Sequence, residues 1–478
     1  MKTAIKEQQQ TAVAGRSLSP VQLVWATDDP PQHLAPADIF EAGLRLHHLA
    51  NTAYPIAHRK TIWSYRQPAE RHAALLRDSL IAAPCMSLYV HIPFCEQRCR
   101  YCEYTVASER GPEIESSYAS ALLDELQLYL ELLGQGERTL AGLDFGGGTP
   151  ALIEPAHIER ILDQVLAGFR LAPGFAISIE TTPKVAATRP ERIKALRQLG
   201  IGRISMGLQT VSRRLLQKYG RDLNDVGYNR RAVDNIRAAG FEQFNIDVMY
   251  GFAGQTVAEV TTTIEHALAL GPEVITLYRM RYKGTAVRRE ADEVTLAQAV
   301  AMYDAAHDLL NGRGYAANPG KNGFSRVAGD PGTSAYLTER VVNSTPYLGL
   351  GLGAQTFTNN LLGYNLGAAS KQLAPYLDAV ARKQLPLQDL YWLPQAEAMA
   401  KMISVAFYFG QIPLDAFRAR FGVELGDRFR AEVEFVTSHG LMVRRGDRLQ
   451  LTRLGSRSFN GVVALFYSDR VKRHLLES

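Results

Sequence analysis

The sequence predicts an α/β protein: a partial (βα)6, TIM-like barrel, preceded by an extension and followed by a small winged-helix-like domain. Three observations carry this prediction. Six short β-branched runs alternate with helical stretches, the pattern of repeated βα units on a parallel sheet. The residues just after each run are small, polar or reactive, and the C-terminal ends of barrel strands are where chemistry sits. Beyond residue 390 the pattern changes to helices followed by a two-strand hairpin.

Residues 1–85 form a mixed, Pro-punctuated extension with a predicted helix near Asp38 to Asn51, read as a substrate or lid segment. Its first stretch, MKTAIKEQQQTAVAG, has no apolar core behind its charges, so no secretory signal is expected and the cytoplasm is the default. The barrel and its following segment take residues 86–390. Its predicted strands are Ser87 to Ile92, Thr139 to Phe145, Phe175 to Glu180, Arg203 to Leu208, Gln243 to Tyr250 and Glu273 to Tyr278. Periodic helical segments lie between them. In Ile114 to Leu133, for instance, leucines 122, 123, 126, 130 and 133 mark an apolar face. The strand ends read HIPFCEQRCRYC, GGGTP, ETTP, GLQT, YGFAGQT and YRMRYKGT. Residues 391–478 carry helices, then GLMVRR, a Gly-Asp turn and RLQLT. This wing has ordinary charge density and no recognition-helix arginine cluster, so a lid or packing role is expected rather than DNA binding.

Composition narrows the function further. With 53 Lys and Arg against 48 Asp and Glu in 478 residues, the net charge of +5 calls for neither a nucleic-acid nor a membrane partner. No apolar run approaches the roughly 20 residues that span a bilayer. The four cysteines, Cys85, Cys95, Cys99 and Cys102, lie in one short stretch. Such clustering in an otherwise cysteine-free chain points to a metal or redox site in a reducing compartment. The CxxxCxxC spacing of Cys95, Cys99 and Cys102 lets three thiolates converge on a cubane iron–sulfur cluster and leave one iron without a protein ligand. Structural zinc is the alternative, and it would want a fourth ligand from Cys85 or His91.

YVHIPFCEQRCRYC, FGGGTP, SIETTP, GRISMGLQTV and NIDVMYGFAGQT, in that order, resemble the radical SAM superfamily, specifically the branch of the oxygen-independent coproporphyrinogen III dehydrogenases. The resemblance covers roughly residues 85–360, and LTRLGSRSFNGVVALFYS resembles that branch's closing motif. It implies a 4Fe-4S cluster on Cys95, Cys99 and Cys102, whose open iron chelates S-adenosylmethionine and cleaves it to a 5′-deoxyadenosyl radical. A low-potential donor such as flavodoxin or ferredoxin would supply the electron. The branch resembles enzymes that hold two S-adenosylmethionine molecules. Tyr89, Gly147 and Glu180 match contacts to the first. Tyr101, Gly148, Thr149, Gln209, Arg221 and Asp247 match contacts to the second, with Met280 and Gln355 as weaker backbone matches.

Two departures shape the expected reaction. The PRYTSYP-like segment and the Cys-Asn-Lys run of coproporphyrinogen dehydrogenases are absent, and Glu103-Tyr104-Thr105-Val106 follows the cluster motif instead. The HNxxYW motif of the related haem chaperones is replaced by VVNSTPYLGLGLGAQTF. The expected reaction is therefore C-methylation or cyclopropanation of an sp2 carbon in a small, planar or aromatic substrate, as in class C methyltransferases. The alternatives are a coproporphyrinogen-oxidase-like or haem-ring-modifying enzyme and, without catalysis, a haem-binding chaperone. Substrate-contact candidates are Tyr54, His58, Arg59, Trp63 and Tyr65, the stretch Gln355 to Asn365, and Arg279 and Arg281 at the sixth strand's end.

Overall fold

The computed structural model describes residues 23–30, 32–134, 138–222 and 225–478; the N-terminal stretch MKTAIKEQQQTAVAG lies outside them. Its centre is a run of parallel strands: β1 (Cys85–Ile92), β2 (Thr139–Gly147), the two-residue β3 (Arg170–Leu171), β4 (Ile177–Thr181), β5 (Arg203–Gln209), β6 (Gln243–Tyr250) and β7 (Val274–Arg279). One face of these strands is apolar and buried beneath the helices (Leu88, Val90, Leu143, Phe145, Ile204, Met206, Ile246, Val248), while the alternate residues on the other face are polar (His91, Asp144, Ser178, Ser205, Asn245, Asp247). Strand β4 starts two residues later than the sequence predicts. Gly174, at φ +81°, turns the chain just before it, and the first bond to β2 is the Leu143 amide on the Ala176 carbonyl at 3.2 Å.

The sheet does not end where the six predicted strands end. Strand β8 (Gly323–Ser325) adds antiparallel to β7. On the other side β9 (Tyr347–Leu350) runs parallel to β1, and β10 (Gln355–Phe357), β11 (Leu361–Asn365) and β12 (Leu387–Trp392) continue it antiparallel. The order is β12-β11-β10-β9-β1-β2-β4-β5-β6-β7-β8, with β3 beside β2, so the partial barrel is an open sheet.

The helix Pro112–Leu133 begins with Pro at its first turn and Glu113 and Glu115 beside its positive end, both favourable there. It buries Tyr118, Leu122, Leu126 and Leu133 against the sheet. Its Glu125 is fully buried and accepts hydrogen bonds from the Gly351 amide, Asn365 Nδ2 and Tyr376 Oη, which ties the helix to the β9–β11 extension.

The C-terminal unit pairs β14 (Met442–Arg445) with β15 (Arg448–Leu451) across the predicted Gly-Asp turn and adds β13 (Gln411–Pro413) on the far side of β15. The N-terminal extension is part of this unit's core. Ile39, Ala42, Ala50, Tyr54 and Ile56 are buried with Met399, Ile403, Val463, Phe466 and Val471. The helix Pro36–Arg45 approaches the helix Phe459–Leu465 closely at Gly43, where a Cβ would sit 2.6 Å from the Asn460 carbonyl oxygen. Among the described residues no helix is long and apolar enough to cross a membrane.

Candidate functional site

The C-terminal ends of the parallel strands open on one cavity of about 300 Å³. The three clustered cysteines reach it from the loop after β1, and that loop is held in place by backbone bonds. The Arg100 amide donates to the Tyr219 carbonyl at 2.9 Å and the Ala107 amide to that of Pro93 at 3.0 Å. The glycine run that ends β2 zips to the start of the loop, with the Gly148 amide on Ile92 O at 2.8 Å and the Thr149 amide on Phe94 O at 2.7 Å. The glycines have a steric reason. Gly147 has φ +113°, and a Cβ there would enter the His91 ring, while a Cβ on Gly148 would sit 2.6 Å from Phe94 O.

Burial holds the Cys95 thiol above its ordinary pKa and pushes that of Cys102 up to about 11. Thiols in this condition gain most from a bound cation, which deprotonates them outright. Thr149 Oγ1 donates to Cys95 Sγ at 3.5 Å, and Arg221 Nη1 donates to Cys99 Sγ at 3.3 Å. His91 is not a fourth ligand. It is buried, with Nε2 on the Thr105 carbonyl at 2.7 Å, and burial lowers its pKa to about 4, so the ring is neutral. Cys85 sits at the opposite end of β1 and does not line the cavity. Among the described residues no three His, Cys, Asp or Glu side chains gather to hold a single metal ion. A cubane bound at three corners places its thiolates on a larger body than one tetrahedral ion does.

Two carboxyls, Glu180 and Asp247, line the cavity floor, with Asp144 behind them on Ser334 Oγ. Glu180 ends β4 and accepts from the Gly147 amide at 3.2 Å. Its side chain is exposed by area, but the surface it exposes is the cavity wall, with protein on every other side. Desolvation, followed by the charges of Asp247 and Asp144, pushes it up to about 8. Asp144 is raised to about 6 by burial, and Asp247 is raised by burial although Asn245 Nδ2 (2.7 Å) and Ser205 Oγ (3.1 Å) donate to it. A floor of this kind favours a bound cation.

Beside it, Gln209 occupies the left-handed region at φ +69°, which is costly for a residue with a Cβ, and its Oε1 is buried with no hydrogen-bond partner. Gly207 makes room for it, since a Cβ there would lie 2.8 Å from Gln209 Nε2 and 3.2 Å from Arg221 Nη2. Arg221 is buried, bonds the Gly207 carbonyl and keeps Nε unpartnered. Burial alone would lower its pKa, but Tyr101 and the Cys99 and Cys95 sulfurs hold it above the usual value. Tyr101 packs edge-on to Phe252, with its hydroxyl buried and unpartnered. Strained backbone and orphaned polar atoms collected around one cavity mark a place built for a ligand.

The family model described as the radical SAM superfamily matches residues 89–267, and the HemN C-terminal domain model matches residues 408–457. Residues 89–267 belong to the radical SAM superfamily. Within it, the relatives are the oxygen-independent coproporphyrinogen III oxidases and the HemW haem chaperones. The heme chaperone HemW of Haemophilus influenzae is 32% identical over 199 residues, 41% of this chain and 51% of that protein. The oxygen-independent coproporphyrinogen III oxidase of Paracoccus denitrificans is 33% identical over 207 residues, 43% of this chain and 45% of that protein. The chain thus matches about half the length of these two curated relatives. The solved coproporphyrinogen III oxidase (HemN) from Escherichia coli shares the fold, with a TM-score of 0.69 at 22% identity over 87% of this chain and 96% of that one.

The radical SAM family's cofactors are a 4Fe-4S cluster and S-adenosylmethionine, and the residues present fit them: three thiols on one loop, glycines where a backbone must approach closely, and an acidic floor for a cationic ligand. Of the residues expected from the sequence, Cys95, Cys99, Cys102, Tyr101, Gly147, Gly148, Thr149, Glu180, Gln209, Arg221, Asp247 and Met280 all line the cavity. Tyr89 lies just behind it, its hydroxyl close to where a Cβ on Gly146 would be, beside Glu180 Oε1. Gln355 does not line it, because its side chain is taken by the Tyr347 and Tyr364 hydroxyls.

The substrate candidates in the extension do not reach the cavity. Tyr54 is buried against Glu397 and Ser468, His58 packs on Tyr364 and Tyr391, and Trp63, 42% exposed, lies under Arg59 and Arg66. Tyr65 is covered by Arg470. Their aromatic character serves packing. The extension instead delivers His47, His48, Asn51 and Thr52, from the turn after its helix, and the C-terminal unit delivers Arg457, Phe459 and Asn460. These roof residues carry no motif, and only the long-range fold places them over the strand ends. Arg281 is paired with Glu103, whereas Arg279 faces the cavity.

Proposed function

We propose that this chain is a radical SAM enzyme that acts on a carboxylate-bearing tetrapyrrole, in oxidoreductase chemistry of the kind its coproporphyrinogen-oxidase relatives are named for. The observation that carries the reading is the single cavity shared by three cluster cysteines, the Gly147-Gly148 cradle and the Glu180 floor, roofed by arginine, histidine and tyrosine side chains. When bound, cluster and S-adenosylmethionine supply a carbon radical able to take hydrogen from an unactivated C–H bond. The chain's residues bind and orient. Cys95, Cys99 and Cys102 hold the cluster, Gly147 and Gly148 let the ligand's methionyl end lie against backbone, and Glu180 accepts its ammonium. The roof of His47, His48, Arg457 and Asn460 limits water. An external low-potential protein donates the electron.

A second S-adenosylmethionine is proposed on Tyr101, Thr149, Gln209, Arg221 and Asp247, supported by the unpartnered Gln209 Oε1 and Arg221 Nε. Methyl transfer from that molecule is the second reading. Glu103-Tyr104 in place of the relatives' Cys-Asn-Lys continuation favours it, while the names of the relatives favour the tetrapyrrole reaction.

The test is cluster-reconstituted protein under anaerobic conditions with dithionite and S-adenosylmethionine. We expect 5′-deoxyadenosine in all mixtures and faster formation with coproporphyrinogen III or haem. Absence of 5′-deoxyadenosine overturns the enzyme reading in favour of a haem-binding protein, and S-adenosylhomocysteine formed in step with it favours methyl transfer. Arg221→Ala or Asp247→Ala should reduce substrate turnover about tenfold or more and lower bound S-adenosylmethionine from two per chain to one. Equal loss of both bound molecules would argue against a separate second site.

A further inference from the structure

Five arginines line the cavity: Arg98, Arg221, Arg279, Arg281 and Arg457. Each must find an anion or water for its charge. Arg281 pairs with Glu103, Arg457 with Asp304 at 2.7 Å, and Arg221 bonds a cluster thiol. Arg98 is exposed and solvated. Arg279 is different. It is only partly exposed, burial pulls its pKa below the usual value, and no carboxylate among the described residues pairs with it. Its partners are neutral: Nη1 donates to Asn460 Oδ1 at 2.9 Å and Nη2 to His47 Nδ1 at 2.5 Å.

These partners aim the guanidinium rather than neutralise it. Asn460 is itself fixed, since its Nδ2 donates to the His47 carbonyl at 3.0 Å and to the Ala50 carbonyl at 2.6 Å. His47 is kept neutral, its pKa lowered to about 3 by burial and then by Arg279 and His48. Because its Nδ1 accepts from Arg279, the neutral ring carries its hydrogen on Nε2 and adds a donor. His48, 4.0 Å away ring to ring, is engaged through Nε2 with the Val294 carbonyl at 3.1 Å and has Asp292 nearby. The result is a preoriented fork of donors with one uncompensated positive charge at the wall of the chamber. On the same cavity Tyr104, 53% exposed, presents an aromatic ring for an apolar body.

We propose that Arg279, with His47 beside it and Asn460 fixing both, is a subsite that binds a carboxylate of the substrate. The guanidinium fork matches a carboxylate bidentately, and the fit supplies the counter-ion that the folded chain withholds. The proposal deepens the tetrapyrrole reading above and rests on that cavity being the substrate chamber.

The test titrates reconstituted wild-type, Arg279→Gln, Arg279→Lys and His47→Gln proteins with coproporphyrin III and, separately, with benzene-1,3,5-tricarboxylate. Arg279→Gln should weaken coproporphyrin III binding by about tenfold or more, with a shallower salt dependence. His47→Gln should weaken it less, and Arg279→Lys should recover part of the affinity. Coproporphyrin III bound equally well by Arg279→Gln overturns the subsite and leaves the tetrapyrrole reading standing. Benzenetricarboxylate held in an Arg279-dependent way, without coproporphyrin binding, upholds the subsite and sinks the tetrapyrrole reading. If neither anion binds the wild type, the subsite is overturned. Should Arg279→Gln fail to fold, as read by its melting curve and cluster absorbance, the Lys and His47 variants decide.

Discussion

Cys95→Ala, Cys99→Ala and Cys102→Ala each yield a protein without a 4Fe-4S cluster and without reductive cleavage of S-adenosylmethionine, whereas Cys85→Ala keeps both. A cubane held at three corners has no spare protein ligand, so losing one thiolate leaves two and frees a second iron. Cys85 cannot step in. It begins β1 while the cluster loop follows the end of that strand at Ile92, and at ~3.3 Å per residue the intervening seven steps put it roughly 23 Å from the strand's end. Iron and acid-labile sulfide content, with 5′-deoxyadenosine by chromatography, are the readouts. Cluster loss in Cys85→Ala, or full cluster content in any of the other three, would show that the ligand set is wrong.

Glu180→Gln should weaken binding of S-adenosylmethionine by about 10- to 100-fold. The glutamine keeps the shape and the acceptor for the Gly147 amide but removes the charge that meets the ligand's ammonium. A hydrogen bond to a charged group contributes ~1.5–3 kcal/mol, and every 1.4 kcal/mol is about tenfold. The pH dependence has a definite sign. Burial and the nearby carboxyls of Asp247 and Asp144 raise Glu180 to about 8 in the empty site, so at neutral pH it is largely protonated and the ligand must draw the proton off. Affinity in the wild type should therefore rise as pH increases toward 8 and level off above it. The glutamine variant should lack this component. Equilibrium dialysis across that range checks both, and unchanged affinity in Glu180→Gln would remove Glu180 from the site.

Much of this site was legible in the sequence because a parallel sheet converts chain order into spatial order. Once HIPFCEQRCRYC, GGGTP, ETTP and GLQT each follow a strand, they must meet at one end. Asp247, inside the apolar run NIDVMY, was visible as an anomaly for the same reason. What was hidden had either weak periodicity or long reach. YLGL and QTF are too short to announce β9 and β10, and only pairing with distant neighbours, β9 on β1 and β10 on β9 and β11, makes them strands. The roof was hidden more deeply. Nothing local to His47 or Asn460 says that residues more than 400 positions apart bond each other. Aromatic residues in the extension drew attention to Tyr54, His58, Trp63 and Tyr65, whereas large rings pack against neighbours far more often than they meet ligands.

The shared core of the extension and the C-terminal unit joins two segments that are synthesised far apart in time. Ile39, Ala42, Ala50 and Tyr54 leave the ribosome well before their burial partners from Met399 to Val471. Between those moments the parallel strands and the cysteine loop can fold as a unit, as domains do during synthesis, with the strand ends uncovered. The roof over the strand ends therefore cannot pack until the Met399 to Val471 segment has been made.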